Sequence, residues 1–309
     1  MSIFLNYCNN TIYFFDILKI DLKYRMCKYK IKMSYTTFPK GSLYPLFKIA
    51  GDYTDLTLIY LLLDGFDDTS KIRVLYDAIE KNDVTVANII ISGIKGKINI
   101  DTEINSSNCF LRAIELGDRL MVDLLLRNGA DINFQNRTGA SALMIAAEKA
   151  NFDLVIYLLK HGANPFLEDN NKVTALMLAA VRCSICTVEI IVHIFYNFKD
   201  KLNVFINQKD KDETSALMLA ASNLNLQSVK TLIEAGANIN DCDDDGMTPL
   251  ILAAQYDDAE KVLKYLLENG ADINLKNKYG ESALMKAKEW DNSGAIKILR
   301  RFGIKNLHK

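Results

Sequence analysis

Hydrophobic and polar positions recur with a helical period through most of the chain after residue 73. A seven-residue apolar pattern that opens with Ser or Thr occurs five times: SALMIAA from Ser141, TALMLAA from Thr174, SALMLAA from Ser215, TPLILAA from Thr248 and SALMKAK from Ser282. Successive copies are 33, 41, 33 and 34 residues apart. The opening hydroxyl can cap a helix, and the alanines give that helix a thin face for close packing. The pattern predicts five equivalent short helices.

A second apolar stripe follows each of these heptads and stops at a glycine. Val155, Ile156, Leu158 and Leu159 have the spacing of one buried helix face. Helices commonly end in a left-handed residue, and four glycines stand at that place: Gly129, Gly162, Gly236 and Gly270. The segments after them are rich in Asn, Gly and charge, which predicts exposed turns or short hairpins. Units of this kind bury their apolar stripes only by stacking.

The two markers together resemble the ankyrin repeat, whose T-P-L-H-x-A marker matches TPLILAA at Thr248 and, more loosely, the other four copies. The resemblance implies an all-α fold, an ankyrin-repeat solenoid of helix-turn-helix units linked by short β-hairpin-like loops. Weaker copies begin at Asn108 and Leu75. The predicted array covers residues 43–309, divided into 43–72 (degenerate), 73–105, 106–138, 139–171, 172–212 (expanded), 213–245, 246–279 and 280–309 (C-terminal cap).

Three departures from the family pattern lead to further expectations. The family's histidine is absent, so its hydrogen bonds are unavailable; its place is taken by Met144, Met177, Met218, Ile251 and Met285. Lys172 and Glu213 replace the hairpin glycine that stands at Gly139, Gly246 and Gly280, and their hairpins are expected to differ in shape. The expanded repeat is eight residues longer than its neighbours, through either a lengthened helix and loop or a local insertion. We expect a bend or a specific contact there.

Composition and charge narrow the functional classes. The net charge of −1 gives no electrostatic footprint for nucleic acid, and no apolar run reaches the ~20 residues that span a bilayer. The six cysteines are too sparse for a secreted disulfide scaffold. The chain is rich in Asn, Ile, Lys and Tyr, and in this composition it resembles multi-copy ankyrin proteins of large DNA viruses. We expect the protein to be monomeric and to lie in the cytoplasm. If the protein is viral, this is the cytoplasm of the host cell.

Residues 1–42 lie outside the repeat frame, and their seven Lys and Arg against two Asp give them a net charge of +5. They are interpreted as a basic N-terminal segment without stable structure, for which two explanations remain open. In the first, the segment binds a membrane surface or a partner. In the second, translation starts at Met33 and the preceding residues are not translated.

Motifs for catalysis are missing from the sequence. There is no phosphate-binding GxxxxGK loop, no GxSxG and no HExxH, and histidine occurs only at 161, 193 and 308. Cys183 and Cys186 form a CxxC pair, for which His193 is a conceivable third ligand. A redox or metal-binding role for this pair is the alternative to an interaction scaffold. The prediction is a non-catalytic protein with no cofactor and no metal site.

The resemblance implies that hairpin tips and the concave first-helix face bind a protein partner, whose identity the sequence leaves open. Carried over by position, the candidate residues at the tips are Gln135, Arg137, Thr138, Glu168, Asn170, Asn171, Lys209, Lys211, Asp212, Asp244, Asp245, Met247, Lys276, Lys278 and Tyr279. Those on the first helices are Glu148, Lys149, Arg182, Asn223, Gln255, Tyr256 and Trp290. The acidic tip around Asp244 predicts either a basic partner segment or a solvated turn.

Overall fold

The computed structural model describes residues 67–94, 99–104, 107–181 and 199–306, which fall into two compact units, 1–99 and 100–309. In the first unit, helix α1 (Asp68–Glu80) packs against α2 (Val84–Ile94). Its core includes Leu75, Ile79 and Ile90, which are all fully buried. Helix α1 runs across the repeat boundary that the sequence placed at residue 73, so this pair begins earlier than the heptad frame indicated.

The second unit contains a stack of short helix pairs. The first helices of its repeats are α3 (Cys109–Leu116), α5 (Ala142–Glu148), α7 (Ala175–Val181), α9 (Ala216–Ser222), α11 (Pro249–Ala253) and α13 (Ala283–Glu289). The second helices are α4 (Arg119–Arg127), α6 (Phe152–Lys160), α8 (Lys199–Ile206), α10 (Leu226–Glu234), α12 (Glu260–Glu268) and α14 (Ser293–Asn306). Each first helix contacts the first helix of the next repeat. In the described ranges the only β pairing is isolated bridges at the hairpins. The predicted all-α repeat solenoid is confirmed.

The predicted caps form as the sequence indicated. Ser141 and Ser215 accept the amide of the third helical residue through their hydroxyls, and Thr248 does the same for Ile251. In α5 and α9 the cap is reciprocal, because the thioethers of Met144 and Met218 accept the amides of Ser141 and Ser215 at 3.4 and 3.5 Å. These methionines thus supply a weak sulfur acceptor at the place of the family's histidine.

The heptad methionines are covered by the repeat that follows each of them. Met144, Met177 and Met218 are at most 2% exposed, whereas Met285 in α13 is 52% exposed. Lys288 stands in α13 where α5 has the buried Ala147. The outer face of α13 is therefore more polar than that of α5, which is the property required of a capping repeat.

The glycines that follow the second helices end them as predicted. Gly129, Gly162, Gly236 and Gly270 all have φ between 92° and 98°, which is the left-handed region. A Cβ added to any of these four glycines would have no atom within 4 Å. Glycine therefore occupies these positions because of the left-handed backbone conformation, and not because a side chain would clash.

The expectation that the Lys172 and Glu213 hairpins differ in shape is wrong. Lys172 and Glu213 have φ of 62° and 59°, in the same left-handed region as Gly139 at 83°. The isolated bridge beside each hairpin is also the same in the repeats of Gly139, Lys172, Glu213 and Gly280. The reason is an Asx turn, in which one side-chain oxygen fixes the loop: Asp169 Oδ1 accepts the amides of Asn171 and Val173 at 2.7 and 2.8 Å.

Candidate protein-interaction surface

A ladder of main-chain hydrogen bonds connects the hairpin tips. Between the five successive turns 136–140, 169–173, 210–214, 243–247 and 277–281, the amide of the second turn residue donates to the carbonyl of the third turn residue of the preceding repeat. The four rungs are Asn170 to Thr138, Lys211 to Asn171, Asp244 to Asp212 and Lys278 to Asp245, with lengths of 2.8 to 3.1 Å. Because these bonds use only backbone atoms, they hold the tips in register and leave the tip side chains available to solvent.

The tip ladder continues across the expanded repeat. Lys211 N donates to Asn171 O at 3.0 Å, although 41 residues separate the heptads on either side. Helix α8 ends at Ile206, four positions before Asp210 of the hairpin, whereas α6 ends nine positions before Asp169. The extra length therefore lies before the end of α8, and much of it falls at residues 182–198, outside the described ranges.

The expanded repeat makes an aromatic contact with the repeat that precedes it. Elsewhere an asparagine before the hairpin accepts an amide of the next repeat: Asn133 from Asn164 at 2.7 Å, and Asn240 from Asp272 at 2.8 Å. Phe166 occupies that position in the preceding repeat and packs edge-on against Phe205 with ring centroids 5.2 Å apart. An aromatic contact replaces a polar one at this junction.

The ends of the first helices present different side chains at one equivalent position. Eight residues after the N-cap, the described repeats carry Leu116, Lys149, Asn223, Tyr256 and Trp290, all of them exposed. The sequence-based selection included four of these and missed Leu116, whose repeat lacks the Ser/Thr heptad. An alignment on the N-cap Asn108 would have found it. The side chains thus change from repeat to repeat above a common stacking face.

Most candidate residues are exposed, but several are used to hold the repeats together. Gln135 Nε2 donates to the carbonyls of Gly139 and Glu168, at 2.6 and 2.8 Å. Lys209 pairs with Asp241 at 3.0 Å, and although burial opposes the shift, the carboxylates of Asp241 and Glu213 raise its pKa. These two side chains have structural partners that a binding partner would have to displace, and they are the weakest candidates.

The exposed candidates are Arg137, Thr138, Glu148, Lys149, Glu168, Asn170, Asn171, Lys211, Asp212, Asn223, Asp244, Asp245, Tyr256, Lys276, Lys278, Tyr279 and Trp290, whereas Met247 and Gln255 are half-buried. Arg182 lies outside the described residues, as do Cys183, Cys186 and His193. Among the residues that are described, no group of three or more His, Cys, Asp or Glu is placed to hold a metal ion.

The acidic tip contains carboxylates with separate roles. Asp243 Oδ1 accepts the amides of Asp245 and Met247 at 2.9 and 2.8 Å, so it forms the turn itself. Asp241 pairs with Lys209 across the repeat boundary. Asp244 and Asp245 are the exposed members, and the Tyr279 hydroxyl lies 3.4 Å from Asp245 Oδ1. Much of this acidic cluster is consequently structural.

The second-helix face carries two related tyrosine contacts. The Tyr157 hydroxyl donates to Asp123 Oδ1 at 2.6 Å, while Arg119 lies 3.9 Å from the ring centroid. Burial and Asp123 raise the pKa of Tyr157; the tyrosine hydroxyl, with Arg127, lowers the pKa of Asp123. At the equivalent Tyr265, burial and Glu234 raise the pKa, and Lys230 lies 5.6 Å from the ring centroid.

Comparison with known families agrees with this architecture. The family described as ankyrin repeats (3 copies) matches residues 110–201, 191–277 and 217–308. The chain therefore belongs to the ankyrin-repeat family, whose members are generally protein–protein interaction modules and typically non-catalytic. No curated protein matches the chain. None of the helices in the described ranges combines the length and apolar character that crossing a bilayer requires.

Proposed function

We propose that this chain is a non-catalytic scaffold or adaptor that binds a protein partner through its hairpin tips and the ends of its first helices. The supporting observation is the contrast between a constant framework and a changing surface. The alanines of the first helices, such as Ala147, Ala180 and Ala221, are fully buried in the stack. Above them Lys149, Asn223 and Trp290 are exposed at one equivalent position. A rigid support with varied exposed side chains is suited to selective binding.

Affinity capture from cells with paired charge-reversal variants tests this proposal. Lys149→Glu with Lys278→Glu changes one first-helix end and one tip. Lys160→Glu with Lys261→Glu makes the same charge change on exposed positions of the second helices. We expect the first pair to lose partners that the wild type captures and the second pair to retain them. Urea unfolding of each variant controls for folding.

Two results would refute the assignment of this surface. One is retention of all partners by the Lys149/Lys278 variant, and the other is an equal loss of partners by both variants. The second result would show that binding depends on the overall charge of the protein and not on the tips and first-helix ends.

A further inference from the structure

Two aromatic side chains project from neighbouring turns at the C-terminal end of the stack. Tyr256 and Trp290 lie eight residues after the N-caps of α11 and α13, and their exposed fractions are 47% and 59%. The Asn292 side-chain amide donates to the carbonyl oxygen of Tyr256, which ties the two turns together. The same asparagine caps α14 by accepting the amide of Ala295 at 3.0 Å. The spacing between the turns is therefore fixed by a buried side chain.

Acidic residues accompany both aromatics. Asp257 and Asp258 follow Tyr256, and Asp291 follows Trp290; all three are exposed. Within the described part of the chain, none of these three carboxylates forms an ion pair. Glu289, on the other side of Trp290, is held by Lys286 at 2.8 Å. Lys288 is exposed nearby and offsets one of the three negative charges. The surface therefore combines two aromatic rings with an excess of negative charge.

We propose that this aromatic–acidic surface, formed by Tyr256, Asp257, Asp258, Trp290 and Asp291, binds an arginine-bearing extended segment of a protein partner. The inference rests on the proposed interaction function and names the chemistry of the partner. A guanidinium can lie over an aromatic ring and pair with a carboxylate in the same contact. Arginine is preferred to lysine because its planar group stacks on rings and forms bidentate bonds.

The protein already contains this combination of groups in a closed form. Arg119 lies 3.9 Å from the ring centroid of Tyr157, and Asp123 accepts the hydroxyl of that tyrosine. At Tyr256 and Trp290, the rings and the carboxylates are present and exposed, whereas the other first-helix ends carry Lys149 and Asn223. Those positions and Leu116 offer no ring, so among the described first-helix ends a ring beside carboxylates occurs only in the last two repeats.

Trp290 is the only tryptophan of the chain, so its fluorescence reports on this surface directly. The full chain is titrated with a flexible Gly/Ser peptide carrying three arginines, and with a twin in which citrulline replaces arginine. We expect a saturable fluorescence change with the arginine peptide, weakened by added salt, and no such change with the uncharged twin.

Matched variants separate this surface from general attraction to acidic groups. Asp257→Asn, Asp258→Asn and Asp291→Asn together should weaken peptide binding about tenfold, as three exposed ion pairs predict. Tyr256→Ala should weaken it about two- to fivefold through loss of a ring contact. The control carries Asp153→Asn, Glu234→Gln and Glu268→Gln, the same charge change on exposed positions of the second helices, and should bind as the wild type does.

Three outcomes would overturn the inference: equal binding of the citrulline twin, equal weakening in the control triple variant, or peptide binding that leaves Trp290 fluorescence unchanged. The capture experiment with Lys149 and Lys278 does not alter this surface. Failure of the arginine peptide would therefore leave the scaffold proposal standing, and failure of the scaffold proposal would be seen independently.

Discussion

The hairpin edge and the second-helix face of this stack are held together in different ways. At the hairpin edge, one backbone hydrogen bond recurs between successive tips whether the left-handed residue is Gly139 or Lys172. On the second-helix face, Tyr157 and Tyr265 are each close to a carboxylate and to cationic side chains of the preceding repeat. Lys230 and Glu234 stand where Asp123 and Arg127 stand, so the charges at these two positions are reversed. Backbone contacts fix the register of the repeats, whereas side-chain contacts need only matching groups and tolerate their reversal.

The largest expected effect comes from crowding the hairpin edge at Gly139. A Cβ there would lie 2.7 Å from the backbone nitrogen of Asn170, the donor of a tip rung. Gly139→Ala should lower the free energy of unfolding by about 2–4 kcal/mol through backbone strain and overpacking. The control is Gly280→Ala, where φ is 78° and nothing lies within 4 Å, with an expected loss of about 1 kcal/mol. Equal losses of unfolding free energy in the two variants, measured by urea unfolding, would show that the close contact between Gly139 and the Asn170 backbone does not affect stability.

Removing the Asx acceptor should give the next largest loss. Asp169→Ala deprives the amides of Asn171 and Val173 of their acceptor and leaves Lys172 in a left-handed conformation without that support. We expect a loss of about 2 kcal/mol in unfolding free energy. Asp169→Asn keeps the acceptor, as Asn136 does in the preceding turn, and should stay near the wild type. A large loss in the Asn variant would indicate that charge, and not the hydrogen bonds, holds the turn.

The second-helix face should respond both to mutation and to pH. Tyr157→Phe removes the hydrogen bond to Asp123 and should cost about 1 kcal/mol at neutral pH. The fold lowers the pKa of Asp123, so this carboxylate stabilises the protein above its ordinary pKa and the benefit disappears as pH falls through the lowered value. The difference between wild type and Tyr157→Phe should therefore shrink as the pH falls below the ordinary pKa of an aspartate, about 4. A constant difference in urea midpoints across that range would contradict the linkage.

The smallest expected change is a gain in stability at the hairpin edge. Lys172 is exposed with φ of 62°, and Lys172→Gly should raise the unfolding free energy by about 0.5 kcal/mol, after the greater chain entropy of glycine offsets part of the relieved strain. Glu213→Gly should gain less because Glu213 also lies 3.5 Å from Lys209. A loss at Lys172, measured by urea unfolding, would show that this side chain stabilises the turn.

The candidate surface was predictable only in part. Counting from the heptad placed Lys149, Tyr256 and Trp290 on the first helices, because a fixed repeat geometry converts spacing into position, and the structure shows that all three are exposed. The same counting could not show that Gln135 bridges two carbonyl groups of the hairpins. It also missed Asp257 and Asp291, whose carboxylates form no ion pair with the described residues, since pairing depends on residues of neighbouring repeats. Spacing gives location, and only the folded chain shows which side chains already have a partner.

The sequence by itself determined the repeat period, the capping residues and the glycine stops, because each depends on a few neighbouring residues. The residue types of Lys172 and Glu213 do not predict the conformation of glycine that they adopt; the local Asx turns, together with the tip ladder between repeats, outweigh the preference of those residues. Tertiary structure alone decided that Met144 is buried while Met285 is half exposed. Both methionines follow Ser-Ala-Leu, and what differs is whether another repeat packs over them.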